Sequence, residues 1–243
     1  MKPLKQSRYL HYLIIFFSLL AALCPVILAN NYLRQDDLMW DIWSGMKMSD
    51  FGYLYYNTVY QLVRPLCMLS FYITDLISIN IHHSAYVRSL SVLFIVILSV
   101  LLYEWQLKFN PKKILSITYA ICAFTLPGYQ VFAATANYFL IIAALLLTFG
   151  AVFSWYKFHQ TFITHRRYAY FIIGCGLFFA SLLEYPLSSM YSWVLLAICY
   201  LNTLTIQNPN QINQRRFFYF GSLVTLIMMA GYYLFIIIFH HLF

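Results

Sequence analysis

Seven stretches of this chain, near residues 10–29, 85–106, 114–132, 137–156, 168–184, 188–206 and 217–241, are each an almost unbroken apolar run. A helix that crosses a bilayer needs about 20 mostly apolar residues. Lipid offers no partner to a bare peptide group, so such runs close their backbone hydrogen bonds within the segment, as helices. The expected fold class is therefore all-α, a polytopic transmembrane bundle of about seven spans. The balance of the chain agrees: 63% of its 243 residues are hydrophobic and 9% are charged, with mean hydropathy +0.72, against about 25% charged in a soluble domain. The net charge of +8 reports membrane orientation rather than an acidic partner. Because the basic residues form short separated clusters, nucleic acid is excluded as a partner.

Orientation turns on one further apolar stretch, 65–80, which is short and carries Asp75. The basic clusters are Lys2/Lys5/Arg8, Lys108/Lys112/Lys113, Lys157/Arg166/Arg167 and Arg215/Arg216. If 65–80 does not span, all four fall on one side, as the positive-inside rule asks; if it spans, the first lands opposite the rest. The non-spanning reading puts the N-terminus in the cytoplasm and 30–84 outside. It also places six of the seven acids outside or at the outer boundary, with Glu104 the exception. The segment 65–80 then reads as an amphipathic helix on the outer surface. Pro65 suits its first turn, and Leu66, Leu69, Ile73, Leu76 and Ile77 share one stripe. A second interfacial helix is expected over 36–46. The N-terminal apolar run is longer than the roughly 7–15 residues of a signal sequence and is expected to stay as a membrane helix. The whole of 1–243 is read as a single integral-membrane domain with an outer loop at 30–84. Five scattered cysteines without a CxxC pair read as small core or lipid-facing residues.

The polar interval 30–66 is the place where chemistry is expected, since it holds Asp36, Asp37, Asp41 and Asp50, three cations and two tryptophans. Adjacent carboxylates such as Asp36-Asp37 can raise one another's pKa and tune a general base; a solvated acidic loop is the plainer reading. Arg64, ahead of Pro65, would offer a fixed guanidinium to a lipid-linked phosphate, or else snorkel to headgroups. Arg88, at the outer start of its helix, runs against the positive-inside bias and needs a partner, either a carboxylate or a bound phosphate. Glu184 can hold a sugar hydroxyl and Tyr185 can stack on a sugar ring, unless Glu184-Tyr185-Pro186 is only a capping turn with an interfacial tyrosine. His82-His83 and His240-His241 read as interfacial residues rather than metal ligands. The sequence has no Walker loop, no GxGxxG, no GxSxG and no HExxH. No cofactor is expected and no metal site is assigned.

The order of these features resembles a membrane glycosyltransferase of the GT-C class, and within it the bacterial serotype-converting glucosyltransferases that modify O-antigen. In that family an outer-loop Asp-Asp is followed by a Gly-Arg-Pro-Leu segment, a Pro-containing helix end and a Leu-Tyr-Gln-like turn. The matching residues here are Asp36-Asp37, Arg64-Pro65-Leu66, Pro127 and Leu183-Glu184-Tyr185-Pro186. Val63 stands where glycine is common, and the last turn is only similar. The chain has fewer spans than the family usually shows, so a shortened or minimal member is expected.

The resemblance implies inverting transfer of a hexose, glucose in that family, from a polyprenyl-phosphate carrier to a glycan or lipopolysaccharide acceptor at the periplasmic face of a bacterial inner membrane. Asp36, with Asp37, would be the catalytic base. Arg64 and Arg88 would bind the donor phosphate, and Trp40, Tyr53, Glu184 and Tyr185 would bind sugar. The partners implied are the lipid-linked donor, the glycan acceptor and the bilayer. The rival readings are a non-enzymatic carrier or flippase for lipid-linked sugars, and an inactive fragment. A carrier is expected to place polar groups near the membrane midplane, whereas 90–102 and 140–152 hold almost no ionisable side chain.

Overall fold

The computed structural model describes residues 2–28, 66, 84–109, 112–125, 139–205 and 211–242. The helices among them are α1 (Lys2–Leu28), α2 (Ser84–Leu107), α3 (Lys113–Thr125), α4 (Phe139–Gln160), α5 (Thr164–Glu184), a short 3-10 helix η1 (Pro186–Met190), α6 (Tyr191–Thr205) and α7 (Gln211–Leu242). α1, α2, α4, α5 and α7 are long and apolar enough to cross a membrane, while α3 and η1–α6 are shorter apolar helices. The protein is thus an all-α, multi-pass integral membrane protein. By its contacts the chain divides into two compact units, one carrying α1–α3 and one carrying α4, from Ala143 onward, to α7.

In the first unit α1 and α2 lie antiparallel, because the start of α1 meets the end of α2. The Tyr12 hydroxyl donates to Glu104 Oε1 at 2.6 Å, and His11 Nδ1 shares a 2.6 Å hydrogen bond with the Tyr103 hydroxyl. Leu28 and Ser84 therefore lie at the same end of the pair. α1 presents Ile15, Leu19 and Leu23, one residue per turn, to the interior. α2 answers with a stripe of Ser91, Val92, Ile95, Leu98, Ser99 and Leu102. α2 ends in a turn closed by the Phe109 N–H donating to the Gln106 carbonyl at 2.9 Å. α3 then returns antiparallel, and the Ser99 hydroxyl donates 2.9 Å to the Ala120 carbonyl across a pair of small residues. Small side chains let helix backbones approach in lipid, where packing replaces the hydrophobic drive.

The second unit runs up and down. α4 meets α5 antiparallel through Phe158–Phe171 near one end and Trp155–Phe178 further along. Gly174 makes this approach possible, because a Cβ there would lie 2.5 Å from Trp155 Nε1. α5 stops where it does because Pro186 forces the residue before it into an extended backbone, and Tyr185 has φ −151° and ψ 100°. α6 and α7 form an antiparallel hairpin held by Tyr200–Phe218 and by a Cys199 thiol facing the Gln214 carbonyl. The four described cysteines are free thiols, Cys199 buried and Cys122 exposed, as expected for residues placed by size rather than by chemistry.

Candidate functional site

Of the residues singled out from sequence, Asp36, Asp37, Trp40, Tyr53 and Arg64 lie outside the described residues. Arg88, Glu184 and Tyr185 are described, with Arg88 in the first unit and Glu184 and Tyr185 in the second.

Arg88 is fully buried. It occupies the fifth position of α2 and begins the same inward stripe that continues through Ser91, Val92 and Ile95. A residue that snorkels to headgroups keeps its charged end in the interface; this one is turned into the packed face. A guanidinium enclosed in protein within a membrane helix has to be met by a carboxylate, a phosphate or carbonyls, because uncompensated charge there is costly. Its burial fits both readings made from sequence, a structural ion pair and a contact to a bound phosphate.

Glu184 ends α5 and is also buried, while Tyr185 is half-buried in the link to η1. Around this turn runs a chain of buried hydroxyls. Thr148 Oγ1 and Ser181 Oγ lie 2.7 Å apart, and Ser181 Oγ and Ser188 Oγ are again 2.7 Å apart. The Thr148 hydroxyl has the Ala144 carbonyl to donate to at 3.1 Å, and the Ser188 hydroxyl has the Tyr185 carbonyl at 2.6 Å. Each hydroxyl carries one proton. The single Ser181 proton serves one of its two 2.7 Å contacts, so the other is made by the proton of Thr148 or of Ser188. Ser189 donates to the Pro186 carbonyl and Ser192 to the Ser189 carbonyl, both at 2.6 Å. Thr148 lies nine residues past the start of α4, about 13 Å along the helix. The turn that carries Ser188 therefore packs against the body of α4 and not against its end.

This hydroxyl chain was not anticipated from sequence. Its signal was present as Ser181, Ser188, Ser189 and Ser192 bracketing Glu184-Tyr185-Pro186 within an apolar run. Thr148, the partner from α4, had no local mark at all.

A third polar group lies at the opposite end of the first unit from Arg88. Arg8 and Glu104 form an ion pair at 3.7 Å, and Tyr12, His11 and Tyr103 complete it. Glu104, the acid that the sequence set apart from the other six, is thus matched by the arginine of the N-terminal basic cluster. Among the described residues no three His, Cys, Asp or Glu side chains gather as a metal site would require. No family model, no curated protein and no solved structure matches the chain.

Proposed function

We propose that the protein is a membrane glycosyltransferase of the GT-C type, moving a hexose, glucose by resemblance, from a polyprenyl-phosphate carrier to a glycan or lipopolysaccharide hydroxyl on the outer face of a bacterial inner membrane. The observation that carries the reading is Arg88. It is a fully buried cation at the end of the α1–α2 pair where Leu28 and Ser84 lie together, the two helix ends that residues 29–83, with Asp36-Asp37 and Arg64-Pro65-Leu66, connect. A return to the same side is what a non-spanning 65–80 requires, and it supports placing the acids and the arginines on one face.

In this mechanism Asp36, assisted by Asp37, removes the proton of the acceptor hydroxyl, which attacks the anomeric carbon in line with the departing lipid phosphate. The C–O bond to the carrier breaks as the new glycosidic bond forms, with inversion. Arg64 and Arg88 balance the charge that grows on the phosphate. Trp40, Tyr53, Glu184 and Tyr185 hold sugar. The test is transfer of labelled glucose from polyprenyl-phosphate glucose in membranes containing the protein. Asp36→Asn should abolish transfer, a loss of at least about 100-fold for a general base, with protein level unchanged. Normal turnover by this variant would remove Asp36 from the role.

One observation favours a second reading, a carrier for lipid-linked sugars. The broken helix at Tyr185 and the hydroxyls of Thr148, Ser181 and Ser188 lie alongside the body of α4, and transporters place polar groups on interrupted helices at depth. Uptake of the lipid-linked donor across reconstituted vesicles without transfer to an acceptor would favour it.

A further inference from the structure

The second unit ends in a cationic surface that the proposed reaction does not use. Lys157 of α4, Arg166 and Arg167 of α5, and Arg215 and Arg216 of α7 sit at the end where these three helices meet. The meeting is fixed by rings. Phe158 stacks on Phe220 at 5.2 Å and contacts Phe171 at 5.4 Å, and His159 lies against Phe217 and Phe220, each at 6.1 Å. The Arg167 guanidinium lies over the Phe158 ring at 4.6 Å, and Arg167 and Arg216 both act electrostatically on His159. Arg167 is therefore fixed on a ring cluster that Phe217 of α7, next in sequence to Arg216, also joins through His159.

Within 143–243 the sequence has a single acidic side chain, Glu184, at the other end of α5. It is 17 residues from Arg167 along one helix, about 25 Å, which is beyond the screening length of about 8 Å at physiological salt. α5 adds to the imbalance. Its N-cap is Ile163, which supplies no side-chain hydrogen bond, and its first turn carries Arg166 and Arg167 at the positive end of the helix dipole. The surface rim is apolar: Phe162 is 99% exposed, and Tyr168 and Tyr219 are exposed too. A positive end alone is what membrane orientation demands. A guanidinium pinned on an aromatic platform, with basic residues from two further helices at the same end, no acidic side chain there among the described residues and a rim suited to acyl chains, goes further.

We propose that this surface, around Arg167, His159 and Arg216, binds the phosphodiester headgroup of an anionic phospholipid from the adjoining leaflet. The two guanidinium groups supply charge-assisted donors to the phosphate oxygens, and Phe162 and Tyr168 lie against the glycerol and upper acyl region.

The experiment titrates the purified full chain, in neutral detergent, with short-chain phosphatidylglycerol and separately with short-chain phosphatidylcholine, counting bound lipid by native mass spectrometry. The wild type should prefer phosphatidylglycerol. Arg167→Gln/Arg216→Gln should weaken it by about fivefold per arginine, while Lys112→Gln/Lys113→Gln, in the other unit, should change it by less than about twofold. Phe158→Leu removes no charge but removes the platform, and should also weaken binding. Should the double variant fail to fold, the exposed Arg216→Gln alone carries the same expectation. Equal binding of the two lipids overturns the proposal. So does an equal loss in the lysine pair, which would mean diffuse charge, or an unchanged Phe158→Leu. Full displacement by an equal concentration of inorganic phosphate overturns it as well, because the occupant would then be a soluble phosphate.

Discussion

Gly174→Ala should be one of the most damaging single-methyl changes in the second unit. A Cβ at Gly174 would lie 2.5 Å from both Cδ1 and Nε1 of Trp155 and 3.1 Å from the Ala151 carbonyl oxygen. Carbon contacts settle at about 3.5–4.0 Å, so the indole must retreat by about 1 Å. Trp155 is fully buried and already packs on Phe178 at 5.3 Å, and the Ala151 carbonyl belongs to the α4 backbone, so neither obstacle can swing aside. Overpacking of this kind costs about 1–3 kcal/mol, or about 5- to 150-fold in the folding equilibrium. Gly176, two residues on, has nothing within 4 Å of its Cβ direction, and alanine there should be neutral or stabilise by up to about 1 kcal/mol. Thermal loss of the monodisperse peak in detergent, with tryptophan fluorescence alongside, reads both. If Gly174→Ala melts with the wild type, or if Gly176→Ala falls as far, the close packing of α4 on α5 is wrong.

Gly221→Ala should cost less than Gly174→Ala in the same assay, although its Cβ would lie 2.6 Å from Leu196 Cδ2, because the obstacle is the tip of a flexible side chain. Ser181→Ala removes the hydroxyl that bonds to both Thr148 and Ser188; it should destabilise by about 1 kcal/mol, within the range for such bonds in membranes, and a double-mutant cycle with Thr148→Val should show coupling. Tyr12→Phe should cost more than Arg8→Gln, since the tyrosine makes a 2.6 Å bond to Glu104 while Arg8 is 54% exposed and 3.7 Å away, and exposed pairs contribute at most about 1 kcal/mol. Arg88→Gln should lower the proposed glucose transfer at least tenfold, as expected for loss of an electrostatic stabiliser; transfer at the wild-type rate would take Arg88 out of the donor site.

The helices were legible because hydropathy reports immersion in lipid: among the described residues each of the seven apolar runs carries a helix, five of them long enough to cross a membrane. Their starts were less legible. α5 begins at Thr164 and α7 at Gln211, ahead of the apolar runs at 168 and 217, because each helix projects past the lipid core through the polar and basic residues that precede its run. α6 begins at Tyr191 after η1, since Pro186 and the extended Tyr185 interpose a turn that apolarity cannot register. Arg88 stood out in sequence as a cation on the wrong side. Its direction, into the packed stripe of α2, follows the spacing that it shares with Ser91, Val92 and Ile95. The Thr148–Ser181–Ser188 chain joins residues 33 and 40 positions apart, and single hydroxyls in apolar helices give no sign of which of them will meet.

Cysteine labelling tests most directly the arrangement on which the proposed chemistry depends, with Asp36, Asp37, Arg64 and Arg88 all on one membrane face. The five native cysteines would be replaced, single cysteines introduced at Asn31 and Asn80, and intact cells treated with an impermeant thiol reagent, with Thr161 in the α4–α5 turn as the opposite-face control. Labelling at Asn31 and Asn80 but not at Thr161 is the predicted result. Labelling at Asn31 without Asn80 would mean that 65–80 crosses the membrane, separating the acids from Arg88 and contradicting the proposed site.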